Sequence, residues 1–153
     1  MKLKSLSFAA LMAATLSAQA QTEITWWHSM TAFNNEWVNT LAKQFNESQK
    51  TYKVTPIYKG SYDESMTAAI AAFRAGNAPH ILQVFEVGTA TMMASKGAIV
   101  PAGKVMADAG YKFDPNHYVA AVAGYYTAPN AQMLCFPYNS SKTVFYYNKD
   151  AYK

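Results

Sequence analysis

Two rhythms of apolar and polar positions alternate along this chain. Ile24 to Trp27 form an apolar, aromatic run that gives way to His28 and Ser29, which predicts a short buried strand running into a loop. Phe33, Trp37, Leu41 and Phe45 then recur at four-residue spacing, with Val38 and Ala42 beside them, so a helix with one apolar stripe follows. YKVTPIYKG reads as a second strand, and Pro56 within it points to a sheet edge or a bulge, because proline cannot donate to a ladder.

The stretch from Ser61 to Pro79 carries the clearest helix signals. Ser61 and Glu64 stand three apart as in a capping box, and Met66, Ala69, Ile70 and Phe73 share one face. Gly76 sits where a left-handed C-terminal cap belongs, and Pro79 blocks continuation. ILQVF (residues 81–85) predicts a third buried strand, and Gly88 to Ser95 a short helix ended by Gly97. Beyond it the pattern weakens to helical turns near Lys104–Ala109 and Asn116–Ala123, then two expected strands, QMLCFPYN and TVFYYN. Strand, helix, strand, helix, strand, helix predicts an α/β layer with a mostly parallel sheet and helices on both faces.

The first twenty residues change the picture of where the chain works. Lys2 and Lys4, an apolar run from Leu6 to Leu16 and the ending Ala18-Gln19-Ala20 match a secretory signal peptide, with cleavage expected after Ala20. A run of eleven residues falls well short of the roughly 20 a bilayer span needs, so the protein is expected in the periplasm and not embedded in the membrane. Residues 21–153 are then one α/β domain.

Loss of the two leader lysines lowers a formal net charge of +4, leaving eleven basic against nine acidic side chains. That balance, with Arg74 as the single arginine, does not suggest a nucleic-acid surface. Cys135 is the only cysteine, which excludes an internal disulfide and reads as a small apolar strand residue.

Open α/β sheets bind ligands outside the carboxyl ends of their strands. The residues there are His28 and Ser29, Lys59 to Tyr62, Glu86, and Asn139 to Ser141. An imidazole, hydroxyls, a phenol, a carboxylate and an amide suit hydrogen bonding to a small hydroxylated molecule. Glu86 divides evenly between a helix-start role and a ligand role, Tyr62 leans towards packing, and Ser140 and Ser141 could make a turn. Catalytic and metal patterns are weak. His28 and Ser29 are neighbours and not a relay, Asp63 and Glu64 are candidates for a second acid to pair with Glu86, and Glu64 is better explained as a cap. No metal-binding spacing and no phosphate loop occurs, so neither an enzyme nor a cofactor is expected.

The strings TWWHSM, YKGSYDES, AAFRAGNAPHILQVFEVGTATMMASKG and PYNSSKTVFYYNKDAYK resemble the extracellular solute-binding proteins of bacterial ABC importers, those for sn-glycerol 3-phosphate in particular. The likeness runs from about Ile24 to the last residue. It implies the first lobe of a two-lobed periplasmic-binding-protein fold, cut before the second lobe, with ligand held between lobes and passed to permease subunits. It places ligand contacts on Tyr62, Glu86 and Ser141, and leaves Ser61, Glu64 and Ser140 structural. On this view Glu86 faces glycerol hydroxyls, Ser141 meets a phosphate oxygen or a hydroxyl, and the positive partner of the phosphate lies on the second lobe. The glycine common in the family soon after its WHxM string is replaced by Thr31-Ala32-Phe33. An oligosaccharide receptor of the same fold, a secreted phosphodiester hydrolase, and a fragment without function of its own are the competing readings.

Overall fold

A computed structural model describes residues 21–95, 97–141 and 143–153; the expected signal peptide, residues 1–20, lies outside the described residues. The chain divides into two compact units, one ending at Phe85 and one beginning at Glu86.

The first unit holds β1 (Thr22–His28), α1 (Ala32–Ser48), β2 (Tyr52–Tyr58), α2 (Tyr62–Arg74) and β3 (Ile81–Leu82). Its three strands form one sheet in the order β2-β1-β3. β1 pairs in parallel with β2 along its whole length, from Thr22 opposite Tyr52 to His28 opposite Tyr58. It pairs in parallel with β3 only at Trp26–Ile81 and Trp27–Leu82. The predicted parallel α/β layer is present. Because the second crossover runs back over β1, two right-handed connections place α1 and α2 on opposite faces.

β2 is an edge strand, as Pro56 suggested, and its outer rim is closed by side chains from the last turn of α1 and from Gln49, the residue that caps it. The Asn46 amide donates to the Val54 carbonyl at 2.9 Å and accepts the Val54 N–H at 2.7 Å. Gln49 Oε1 accepts from Thr51 and Tyr52, and its Nε2 donates to the Tyr52 carbonyl at 2.7 Å. Those bonds fix the rotation of α1. The inward face is Val38 and Ala42, both buried, whereas Phe33 and Trp37 of the predicted stripe are 77% and 45% exposed. The stripe is thus one residue, about 100° of helix, out of phase with the real packing face.

α2 follows its sequence signals closely. Ser61 Oγ accepts the Glu64 N–H while the Glu64 carboxylate accepts the Ser61 N–H, forming the capping box. Gly60 just before it and Gly76 after it adopt positive φ, +79° and +71°. Ser65 and Ala69 are the buried residues of this helix, and Phe73 of the predicted face is exposed.

β3 is shorter than the predicted ILQVF strand. The Gln83 N–H still reaches the Trp27 carbonyl at 2.9 Å, but residues 83–85 leave the ladder. At its other end His80 stands in for strand backbone: its Nδ1 accepts the Thr25 N–H at 3.1 Å.

The second unit contains α3 (Glu86–Ala94), α4 (Ala102–Asp108), a 3-10 turn at Pro115–His117, α5 (Ala120–Ala123) and a second 3-10 turn at Gly124–Tyr126. Two sequence expectations fail here. α3 begins at Glu86, two residues before the predicted start. QMLCFPYN and TVFYYN do not form strands; the first contributes one antiparallel bridge, Thr127 to Met133, and Phe145 and Tyr146 of the second are exposed. A strand exists only where another backbone takes up a continuous row of its hydrogen bonds, and the first run has only a short set, Ala128 N–H to Gln132 and Leu134 N–H to Tyr126, around its one bridge. Cys135 accordingly lies outside any strand, and its partial burial pushes the thiol up to about 11, which favours the protonated form. Phe113, Tyr118 and Phe136 form an aromatic cluster in this unit.

Candidate functional site

The strand order of the first unit marks a place for ligand. The crossover from β1 leads to β2 while β3 lies on the other side of β1, so the space outside the carboxyl ends of β1 and β3 is the candidate switch point of the sheet. Three segments end there or close by: His28 to Met30 after β1, Lys59 to Tyr62 after β2, and Gln83 to Phe85 after β3.

His28 is only 1% exposed. Its Nδ1 accepts the Met30 N–H at 3.3 Å, which leaves the ring proton on Nε2, and the ring lies about 6 Å from those of Trp26 and Tyr58. Burial pushes its pKa below the ordinary 6.5, so the imidazole is neutral. Its carbonyl accepts the Lys59 N–H at 2.9 Å, and the Lys59 ammonium sits 3.9 Å from the centre of the Trp27 ring, a cation–π contact.

Ser29 follows with its N–H donating to Gln83 Oε1 at 3.1 Å, while its Oγ is buried with no hydrogen-bond partner among the described residues. Gln83 Nε2 donates to the Tyr62 hydroxyl at 3.4 Å, and the Tyr62 ring packs 5.5 Å from that of Phe85. Tyr62 owes its place to local signals: Gly60 turns the chain, Ser61 caps the helix, and Tyr62 is the first helical residue.

The expected site residues fall in different units. Tyr62 is in the first, joined to the loops after β1 and β3. Glu86 and Ser141 are in the second, Glu86 as the first residue of α3 and Ser141 exposed and outside any regular element. Ser61 and Glu64 are structural, as expected, because both are used by the capping box. Gln83 was missed by the sequence reading, which took it as part of an apolar strand. The available signal was a lone amide inside ILQVF, since a buried amide must find partners. A shallow hollow in the second unit, about 220 Å³ and lined by Met106, Lys112, Phe113, Asp114, His117, Tyr118 and Phe136, contains none of the expected residues.

The groups at the candidate switch point suit hydrogen bonding to a polar molecule. They are an amide, a phenol, a hydroxyl and a neutral imidazole. No group of three metal-ligating side chains occurs among the described residues. No helix among them is long and apolar enough to cross a membrane.

Comparison with known proteins agrees with that character. Residues 30–153 match the family model of the bacterial extracellular solute-binding protein. The chain is 55% identical over 144 residues, 93% of its length, to the sn-glycerol-3-phosphate-binding periplasmic protein UgpB of Brucella abortus (strain 2308). It is 50% identical over its full length to the protein of that name from Rhizobium meliloti (strain 1021), and 53% identical over 97% of its length to that of Salmonella paratyphi A. It spans 33% to 36% of the length of these relatives.

Proposed function

The chain belongs to the bacterial extracellular solute-binding protein family, and from that premise we propose that it captures sn-glycerol 3-phosphate in the periplasm for delivery to the permease subunits of an ABC importer. The observation that carries this reading is identity of 50% to 55% across nearly the whole chain with relatives named for that ligand and that compartment. The work is binding without chemistry.

Tyr62, Glu86 and Ser141 are the proposed contacts. A carboxylate repels phosphate, so Glu86 takes the glycerol hydroxyls as an acceptor, with Tyr62 alongside, and Ser141 donates to a phosphate oxygen or a hydroxyl. Phosphate needs a positive partner or a nest of N–H groups. Arg74 is exposed in the last turn of α2, where it complements the helix dipole, and Lys59 is engaged with Trp27. The partner is therefore assigned to a second lobe of the kind the family possesses, and closure of the two lobes would bury the ligand.

Calorimetric titration with sn-glycerol 3-phosphate tests the reading. Saturable heat with that ligand and none with maltose is the expected result. Tight maltose binding without a glycerol 3-phosphate signal would replace it with the oligosaccharide receptor, and steady choline release from glycerophosphocholine with the hydrolase.

A further inference from the structure

Gln83 is a primary amide among apolar neighbours and only 8% exposed. Buried amides are kept where each of their polar atoms has a defined partner. Here the partners also determine which way round the amide lies. The Ser29 backbone N–H can only donate, so the atom facing it at 3.1 Å is Oε1. Turning the amide over would set N–H against N–H. Nε2 is therefore the atom facing the Tyr62 hydroxyl at 3.4 Å, and there the phenolic oxygen accepts. Its own hydrogen is turned away from Gln83. Two residues on, Phe85 holds the face of the same ring, with centroids 5.5 Å apart.

We infer that Gln83 is a positioning residue for solute capture: anchored by the Ser29 N–H and by its own N–H on Trp27, it fixes the place of the Tyr62 phenol and the direction of its O–H. This rests on the reading of Tyr62 as a ligand contact given above. The amide touches no ligand and acts through the phenol. The device joins the loops after β1 and β3 to the start of α2.

Two substitutions separate this role from simple packing. Gln83→Glu keeps an acceptor for the Ser29 N–H but sets a second acceptor against Tyr62, which forces the phenol to donate inward. Gln83→Met removes both bonds at similar volume. In protein labelled at tyrosine Cζ, with the Tyr62 resonance identified by its loss in Tyr62→Phe, both substitutions move that resonance, Gln83→Glu further. If Gln83→Met does not fold, Gln83→Glu alone decides. Affinity for sn-glycerol 3-phosphate falls about tenfold in Gln83→Met, and adding Gln83→Met to Tyr62→Phe costs nothing more. An unmoved Tyr62 resonance, or a loss that persists in full in the Tyr62→Phe background, overturns the inference. If the unsubstituted protein gives no heat with sn-glycerol 3-phosphate, the ligand assignment fails while the Tyr62 resonance still decides the role of Gln83.

Discussion

Asn46 and Val54 exchange two hydrogen bonds, amide to backbone in both directions, at 2.9 and 2.7 Å. The contact is partly buried, so removing the amide leaves a donor and an acceptor of β2 poorly reached by water. Asn46→Ala is expected to lower stability by about 1–3 kcal/mol, read from urea unfolding followed by circular dichroism. Asn46→Asp keeps the bond from the Val54 N–H but sets a carboxylate against its carbonyl, and should fall no higher than the alanine variant. Unchanged midpoints in both would mean that water replaces the amide without loss.

The start of α2 makes a graded prediction. Ser61→Ala removes one arm of the capping box and should cost about 1 kcal/mol. Gly60→Ala should cost more, because φ there is +79° and the added Cβ would collide with the Glu64 carboxylate. Thermal unfolding of the two variants gives the order, and the reverse order would refute the packing argument.

Glu64 adds a dependence on pH. The Ser61 backbone N–H, then its hydroxyl, hold the carboxyl below its ordinary 4.5. A depressed folded value means that the contribution is present above pH 4.5 and is lost as pH falls through the lower folded value. Glu64→Gln should flatten the stability profile in that window.

His28 acts at higher pH with the same sign. Burial favours its neutral form, so its contribution is complete above pH 6.5 and declines as pH drops through the lower folded value, where the imidazole must charge. His28→Asn, whose carbonyl can accept the Met30 N–H, should be less stable at neutral pH yet show a shallower decline below pH 6.5. Parallel profiles for the two proteins would remove His28 as the cause.

For the ligand, Glu86→Ala is expected to weaken sn-glycerol 3-phosphate binding by about 1–3 kcal/mol, since hydroxyls lose a charged acceptor. Asp108→Ala is the control, because its partner Lys104 is an exposed neighbour on α4. Calorimetry in which Glu86→Ala matches the control would take Glu86 out of the site.

What could be read from sequence was mainly what is decided within one turn of chain. The capping box, the positive φ of Gly76 and the edge position of Pro56 each depend on a few neighbouring residues. The phase of α1 was misread because counting apolar side chains ignores Asn46 and Gln49, whose bonds to β2 outweigh the exposure of Phe33 and Trp37. The length of β3 depends on Trp26 and Trp27, more than fifty residues away, and the fate of TVFYYN on a pairing partner. At the candidate site, Tyr62 stood out in the sequence as a phenol soon after a strand, and it does lie beside the loops after β1 and β3. Gln83 was hidden, because a polar residue inside an apolar run looks like noise until its two partners are known.

Pro56 has a last implication. With Tyr52 and Val54 occupied and no N–H at position 56, the flank of β2 offers newcomers no donor before Tyr58. A strand joining this sheet must therefore enrol beside β3, so the layer can widen in one direction only. That one-way growth keeps recruitment on the side of the crevice where β1 and β3 part, and denies foreign chains a docking rail along the opposite border.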